Sequence, residues 1–251
     1  MAGARRRGGP GAGAGLIVYG RNAAREALRG PREVERVWAT KGAARAEWLR
    51  GVPVELLASA EELERQCGSP DHQGVCALTA PYRYADPEAL LAASAPLIVA
   101  LDEIQDPQNF GAICRTAEAV GVTGVVLPER RSVAVTPAVC KASAGAVEHL
   151  AVARVRNLAD FLARAKHAGC WCYGAAADGD RSYDGPDYAG GVVLALGSEG
   201  RGLRPRVAAA CDGLVSLPMR GTVASLNVSA AAAVLLYEVD RSRRSTSPSG
   251  A

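Results

Sequence analysis

Residues 97–128, LIVALDEIQDPQNFGAICRTAEAVGVTGVVLP, carry the pattern that decides the fold. Residues 97–101 form an uninterrupted apolar run of strand length, as expected of a strand covered on both faces. A polar loop turns at Pro107, a helix follows over 111–120, and a second apolar strand runs over 124–127. The alternation continues outward to residue 239. Helices are expected over 136–144, from Asn157 as N-cap to His167, and over 225–239. Strands are expected over 152–155, 170–175, 192–196 and 214–217. Short apolar strands alternating with helices define an α/β fold with a mostly parallel sheet, covered on both sides.

Toward the amino terminus lies a smaller α/β unit over 16–79. Its expected elements are a helix over 21–28, a strand over 34–39, a helix over 43–49, a strand over 54–57, a short helix over 61–66 and a strand over 75–78. Pro81, Pro87 and Pro96 punctuate a linker over 80–95. The larger domain then spans 96–240. Residues 1–15 are Gly, Ala and Arg and are expected to be disordered, as is a tail over 241–251.

The chain has 251 residues, 49% apolar and 22% charged, with 28 glycines and 14 prolines, which excludes a wholly disordered polypeptide. The most apolar stretch, 228–236, is about half the length of a membrane-spanning helix. All 29 basic residues except Lys41, Lys141 and Lys166 are arginine. The net charge of +3 hides its distribution: Arg5, Arg6, Arg7, Arg241, Arg243 and Arg244 sit in ends without acids, which leaves 16–240 at −3. The body is therefore not a generally basic nucleic-acid binder, and any RNA contact needs a local patch.

The seven cysteines are scattered without a CxxC, and with three histidines they form no zinc pattern, so no metal is expected. Reduced cysteines point to the cytoplasm. Residues 16–19 are too short for a secretory apolar region. The arginine-rich, acid-free start also fits an organelle transit peptide, although a disordered tail is the preferred reading.

Three polar, glycine-containing segments follow predicted strands, where open α/β sheets bind ligands. In the first, 102–117, Asn109 is a helix cap or a functional group, and Arg115 is a solvated surface residue or an anchor for phosphate or substrate. In the second, LGSEGRGL at 196–203, the glycines allow close backbone approach to a ligand. Their GxxGxG order and Pro205 disfavour a dinucleotide-binding oxidoreductase, which wants GxGxxG before a helix. Glu199 there is catalytic or a cap. In the third, 217–231, Ser225, Asn227 and Ser229 border a very apolar helix, as caps or as ligand-binding groups.

Together DPQNFGAICRTAEAVGV, LGSEGRGL and LPMRGTVASLNVSAAAAVLLYE resemble, in order and spacing, the three motifs of the SpoU/TrmH RNA ribose methyltransferases of the SPOUT class, over 96–240. VYGRNA at 18–23 and HQGV at 72–75 resemble the flanks of the small substrate-binding domain of two-domain members. The resemblance implies a trefoil-knotted domain, a homodimer, an RNA partner and S-adenosyl-L-methionine as methyl donor for a ribose 2′-hydroxyl, with no metal. It implies catalytic or substrate-positioning roles for Asn109, Arg115, Glu199, Ser225 and Asn227, with Glu199 orienting Arg115 or the substrate. Arg115 matches the family's proposed base, although an arginine gives up its proton so reluctantly that phosphate anchoring is physically easier. Gly197, Leu217 and Leu226 match positions whose backbone cradles the cofactor, with Met219 and Ser229 lining the same pocket. Phe110 and Cys114 stand where aliphatic residues are usual.

The two-domain layout favours a guanosine of large-subunit ribosomal RNA. Transfer RNA and a ribosomal adenosine, as in antibiotic-resistance enzymes, are alternatives. A non-catalytic RNA-binding ribosome assembly factor is the competing class, disfavoured by the intact motif residues.

Overall fold

The computed structural model describes residues 15–246. The expectations for 1–14 and 247–251 lie outside the described residues. The chain divides into two compact units, Met1–Arg83 and Tyr84–Ala251.

The first unit is built on a four-stranded sheet in the order β1-β4-β2-β3, from β1 (Leu16–Tyr19), β2 (Val34–Thr40), β3 (Glu55–Leu57) and β4 (Val75–Thr79). β4 pairs antiparallel with β1 and β2, while β2 and β3 are parallel. Strand alternation sorts the core. Val37, Ala39, Val75 and Ala77 pack with Ala24 of α1 (Arg21–Arg29), whereas Trp38 and Cys76 turn the other way onto Leu63 of α2 (Ala60–Cys67). The helix expected over 43–49 is instead two 3-10 turns, Ala43–Arg45 and Glu47–Leu49, broken at Ala46, whose ψ of 135° is extended. Gly51 at φ 83° and Pro53 leave no room for a longer helix, and the break drops Leu49 into the core.

The second unit holds seven strands in the order β7-β6-β5-β10-β8-β11-β9, and every pairing is parallel. They are β5 (Leu97–Asp102), β6 (Gly124–Pro128), β7 (Val152–Val155), β8 (Trp171–Ala175), β9 (Arg181–Ser182), β10 (Val192–Gly197) and β11 (Gly213–Ser216). Ile98, Ala100, Val126, Val193 and Ala195 face Leu158, Phe161 and Leu162 of α6 (Leu158–His167) and Val207 of α7 (Pro205–Ala210). Alternate residues turn to the opposite face, where α4 (Pro107–Ala119) packs against α5 (Pro137–Ala142) and α8 (Val228–Thr246).

Two expected boundaries move. Residues 84–95, expected in a linker, belong to this unit: Ala85 bridges Ala153, and α3 (Pro87–Leu91) buries Leu90 and Leu91. The tail expected from 241 is helical to Thr246, because Arg243 is tied down. Its guanidinium donates to the carbonyls of Tyr188 and Pro96, each at 3.2 Å, and to that of Gly190.

The chain leaves β5 toward β6 on one side, and returns to pair β10 on the other. Gly197 ends β10 beside Asp102 at the end of β5. This reversal opens a crevice beyond the two carboxyl ends, the position where open α/β sheets place ligands.

Candidate active site

Helix α4 starts at Pro107, whose fixed φ suits a first helical position. Asp106 is its cap, accepting from the backbone N–H groups of Gln108 at 3.0 Å and Asn109 at 3.3 Å. Asn109 is therefore not the cap, and its side chain is free for other partners. Nδ2 of Asn109 donates to Oε1 of Glu199 at 3.1 Å. Nδ2 of Asn227 donates to Oδ1 of Asn109 at 2.9 Å and also to Oε1 of Glu199. Oδ1 of Asn227 accepts from the backbone N–H of Ser229 at 2.8 Å and from its hydroxyl at 2.6 Å. These two donors point the Asn227 amide nitrogen at Glu199. One closed ring of hydrogen bonds thus joins residues 109, 199 and 227, one from each motif.

The loop carrying Glu199 is held at both ends. Gly202 N donates to Ser198 O at 2.9 Å, which folds the loop back over Gly197. A Cβ at Gly197 would lie 2.0 Å from the Gly202 carbonyl carbon, so only glycine fits. At the far end stands Arg204. It donates to Asp102 through Nε at 2.8 Å, Nη2 at 2.6 Å and its backbone N at 2.8 Å. The Asp102 carboxylate is fully buried and holds the Arg204 guanidinium above its usual pKa. Glu103, at a strained φ of 57°, meets Arg131 at 3.4 Å and Arg204 at 3.7 Å. The sequence singled out none of Asp102, Glu103 and Arg204. An acid closing an otherwise apolar strand was the available signal.

A cleft of about 290 Å³ opens beside the ring, lined by Glu103, Ile104, Asp106, Asn109, Glu199 and Val228 among others. Other motif residues lie off the ring. Arg115 is exposed and bonds to neither Asn109 nor Glu199; six residues along a helix turn it about 240° from Asn109. Ser225 is exposed in the loop before α8. Leu217 is half-buried, while Met219, Val223 and Leu226 are exposed in the same loop, 68% in the case of Val223. Among the described residues, no group of three or more His, Cys, Asp or Glu side chains is placed to hold a metal, and no helix is long and apolar enough to cross a membrane.

A parallel α/β sheet whose reversal point gathers three loops into one polar ring defines a ligand-binding enzyme of the open-sheet class. A family model described as the SpoU rRNA Methylase family matches residues 96–237, and one described as RNA 2'-O ribose methyltransferase substrate binding matches 17–85. The Bacillus subtilis protein YacO, named for the TrmH family of tRNA/rRNA methyltransferases, is 38% identical over 239 residues, covering 90% of this chain and 95% of its own. Among solved structures, the SpoU methyltransferase AviRb of Streptomyces viridochromogenes, with AdoMet bound, aligns at TM-score 0.78 and 26% identity, over 92% of this chain and 91% of its own. An AdoMet-bound rRNA methyltransferase of Sinorhizobium meliloti aligns at TM-score 0.76 and 26% identity, over 91% of this chain and 87% of its own.

The chain belongs to the SpoU family of RNA methyltransferases, which use S-adenosyl-L-methionine. The residues present fit that cofactor. Gly200 and Gly202 leave the backbone of the 197–202 loop open, with nothing within 4 Å of the Cβ positions. The uncovered apolar side chains of Met219, Val223 and Leu226 suit an adenine ring and a thioether chain.

Proposed function

We propose that this protein methylates the ribose 2′-hydroxyl of a guanosine in large-subunit ribosomal RNA. The observation that carries the reading is the ring joining Asn109, Glu199 and Asn227 beside an open cleft. The substrate-binding match over 17–85 and the two-domain alignment with an rRNA methyltransferase support a ribosomal substrate.

S-adenosyl-L-methionine, held by the backbone around Gly197 and the loop from Leu217 to Leu226, supplies an electrophilic methyl group. The remaining work is alignment and removal of one proton. Both amide groups converge on Oε1 of Glu199, which fixes the carboxylate and leaves Oε2 for the substrate. Oε2 accepts the hydrogen of the ribose hydroxyl as the oxygen attacks. Asn109 and Asn227 orient that carboxylate, and Ser229 orients Asn227. Ser225, exposed at the mouth of the third loop, contacts the substrate. Arg115 anchors an RNA phosphate rather than serving as the base.

The exposed Val234 and Tyr237 on α8 suit burial in a homodimer. The carboxyl-terminal segment completes a trefoil knot. Seven free cysteines suit the reducing cytoplasm.

The test is incubation with labelled cofactor and unmodified ribosomal or transfer RNA, followed by digestion to nucleosides. Labelled 2′-O-methylguanosine from ribosomal RNA is expected. Label confined to transfer RNA, or on adenosine, would refute the assignment of substrate.

A further inference from the structure

The carboxyl-terminal edge of β6 and β7 is strongly basic. Arg130, Arg131, Arg154 and Arg156 stand there against one acid, Glu129. Several exposed arginines elsewhere in this unit are neutralised, Arg164 by Glu88 at 2.8 Å, Arg206 by Asp160 at 3.2 Å, Arg241 by Glu238 at 2.6 Å and Arg244 by Asp240 at 2.9 Å, while exposed arginines such as Arg115, Arg181 and Arg220 stand singly rather than in a row. Arg130 and Arg156 are exposed, and neither forms an ion pair with a described residue. Arg131 touches Glu103 at 3.4 Å yet keeps 74% of its side chain in solvent.

The edge is rigid. Val133 N donates to Ile104 O at 2.9 Å, and Val135 N donates to the Tyr84 hydroxyl at 3.0 Å. Arg154 donates to Glu129 O and lies over the Tyr84 ring at 5.4 Å, so it braces the loop from beneath. The register places the row beside the cleft. Ala100 pairs with Val126, and Pro128 pairs with Val155, so residues 103, 129 and 156 leave the sheet side by side. Two strand spacings, about 10 Å, separate Glu103 from Arg156.

The cleft has the opposite balance, with three acids, Glu103, Asp106 and Glu199, against one arginine, Arg201, on its wall. A phosphate is repelled there and attracted one strand away. We propose that the row of Arg130, Arg131 and Arg156 holds the phosphodiester backbone flanking the target nucleotide, while the nucleoside alone enters the cleft. The proposal rests on the reading of the substrate as RNA. Guanidinium groups suit it because their planar fork matches phosphate oxygens.

The experiment measures RNA affinity across a salt series for wild type and for the double variant Arg130→Gln/Arg156→Gln. The probes are an unmodified large-subunit ribosomal RNA transcript and a transfer RNA transcript. Each lost phosphate contact lowers the log–log salt slope by about 0.7–0.9, so the double variant should lose about 1.5. Cofactor affinity and melting temperature should hold. Arg164→Gln/Arg206→Gln makes the same change in net charge elsewhere and should leave the slope alone. An unchanged slope in the first variant, or an equal fall in the second, would overturn the proposal. A fall seen on transfer RNA alone supports the row while counting against the ribosomal substrate.

Discussion

A methyl group on residue 197 would lie 2.0 Å from the carbonyl carbon of Gly202, 2.2 Å from its oxygen and 2.3 Å from the nitrogen of Leu203. Non-bonded carbon atoms rest at about 3.5–4.0 Å, so Gly197→Ala forces the returning loop back by more than 1 Å. All three neighbours are main-chain atoms, and no rotamer change relieves the overlap. Overpacking costs about 1–3 kcal/mol, and a clash with backbone belongs at the upper end, about 3 kcal/mol. The loop that yields carries Glu199, held at 3.1 Å from Asn109. A displacement of about 1 Å at a reacting group lowers turnover roughly 100-fold. Gly121→Ala supplies the control. Its φ of 71° strains an alanine, but its Cβ meets nothing within 4 Å, so it should cost about 1 kcal/mol of stability with full turnover. The assay pairs steady-state transfer of labelled methyl with cofactor calorimetry and thermal melting. Turnover of Gly197→Ala within threefold of wild type, at an unchanged melting temperature, would refute the reasoning.

Further outcomes follow from the same geometry. Asn227→Ala removes two donations, one to a carboxylate, and hydrogen bonds to charged groups are worth about 1.5–3 kcal/mol. Turnover should fall roughly 10–150-fold, beyond the stability loss of about 1 kcal/mol expected because Asn227 also caps α8 through Ser229 N; an unchanged rate would place the ring outside catalysis. Arg204→Met takes the guanidinium from the buried Asp102, which keeps only the backbone N–H of residue 204 as a donor. Since the Arg204 side chain is 43% exposed, the loss belongs at the low end of the range for buried pairs, about 3 kcal/mol by urea denaturation. Adding Asp102→Asn should recover part of it. Burial pushes the Cys76 thiol up to about 12 and that of Cys211 to about 11, and holds Cys114 and Cys172 above the ordinary thiol range. At pH 8 the half-exposed Cys67 should react with a disulfide reagent well before Cys76, Cys114 and Cys172. Because their pKa values are raised, these thiols favour the folded state fully below pH 9 and lose that contribution as pH rises toward 12, so stability should decline across that window.

The βαβ alternation read from 97–128 exists in the structure as β5, α4 and β6, because each element is encoded by local apolar periodicity. The start of α4 was less legible. From sequence Asn109 reads as a cap or a functional group, but Asp106, three residues earlier, caps the helix and leaves Asn109 to reach Glu199. The order of the strands carries no local signal: β10 inserts between β5 and β8, which their sequence positions do not reveal. The same holds for Arg204, whose partner Asp102 lies 102 residues away. The end of α8 escaped for a related reason. Residues 241–246 look like a charged tail until Arg243 meets the carbonyls of Pro96, Tyr188 and Gly190. The grouping of the three motifs came from family resemblance; the hydrogen bonds supply its physical cause.

The central claim is that the carboxylate of Glu199, fixed by Asn109 and Asn227, handles the proton of the ribose hydroxyl. Single-turnover methyl transfer by Glu199→Gln, at saturating labelled cofactor and unmodified ribosomal RNA, tests it most directly. A misplaced or missing proton acceptor lowers rates by about 10²–10⁴. The account predicts a loss in that range, with cofactor affinity, RNA affinity and melting temperature unchanged. A rate within threefold of wild type would contradict it, and would move the proton to another group.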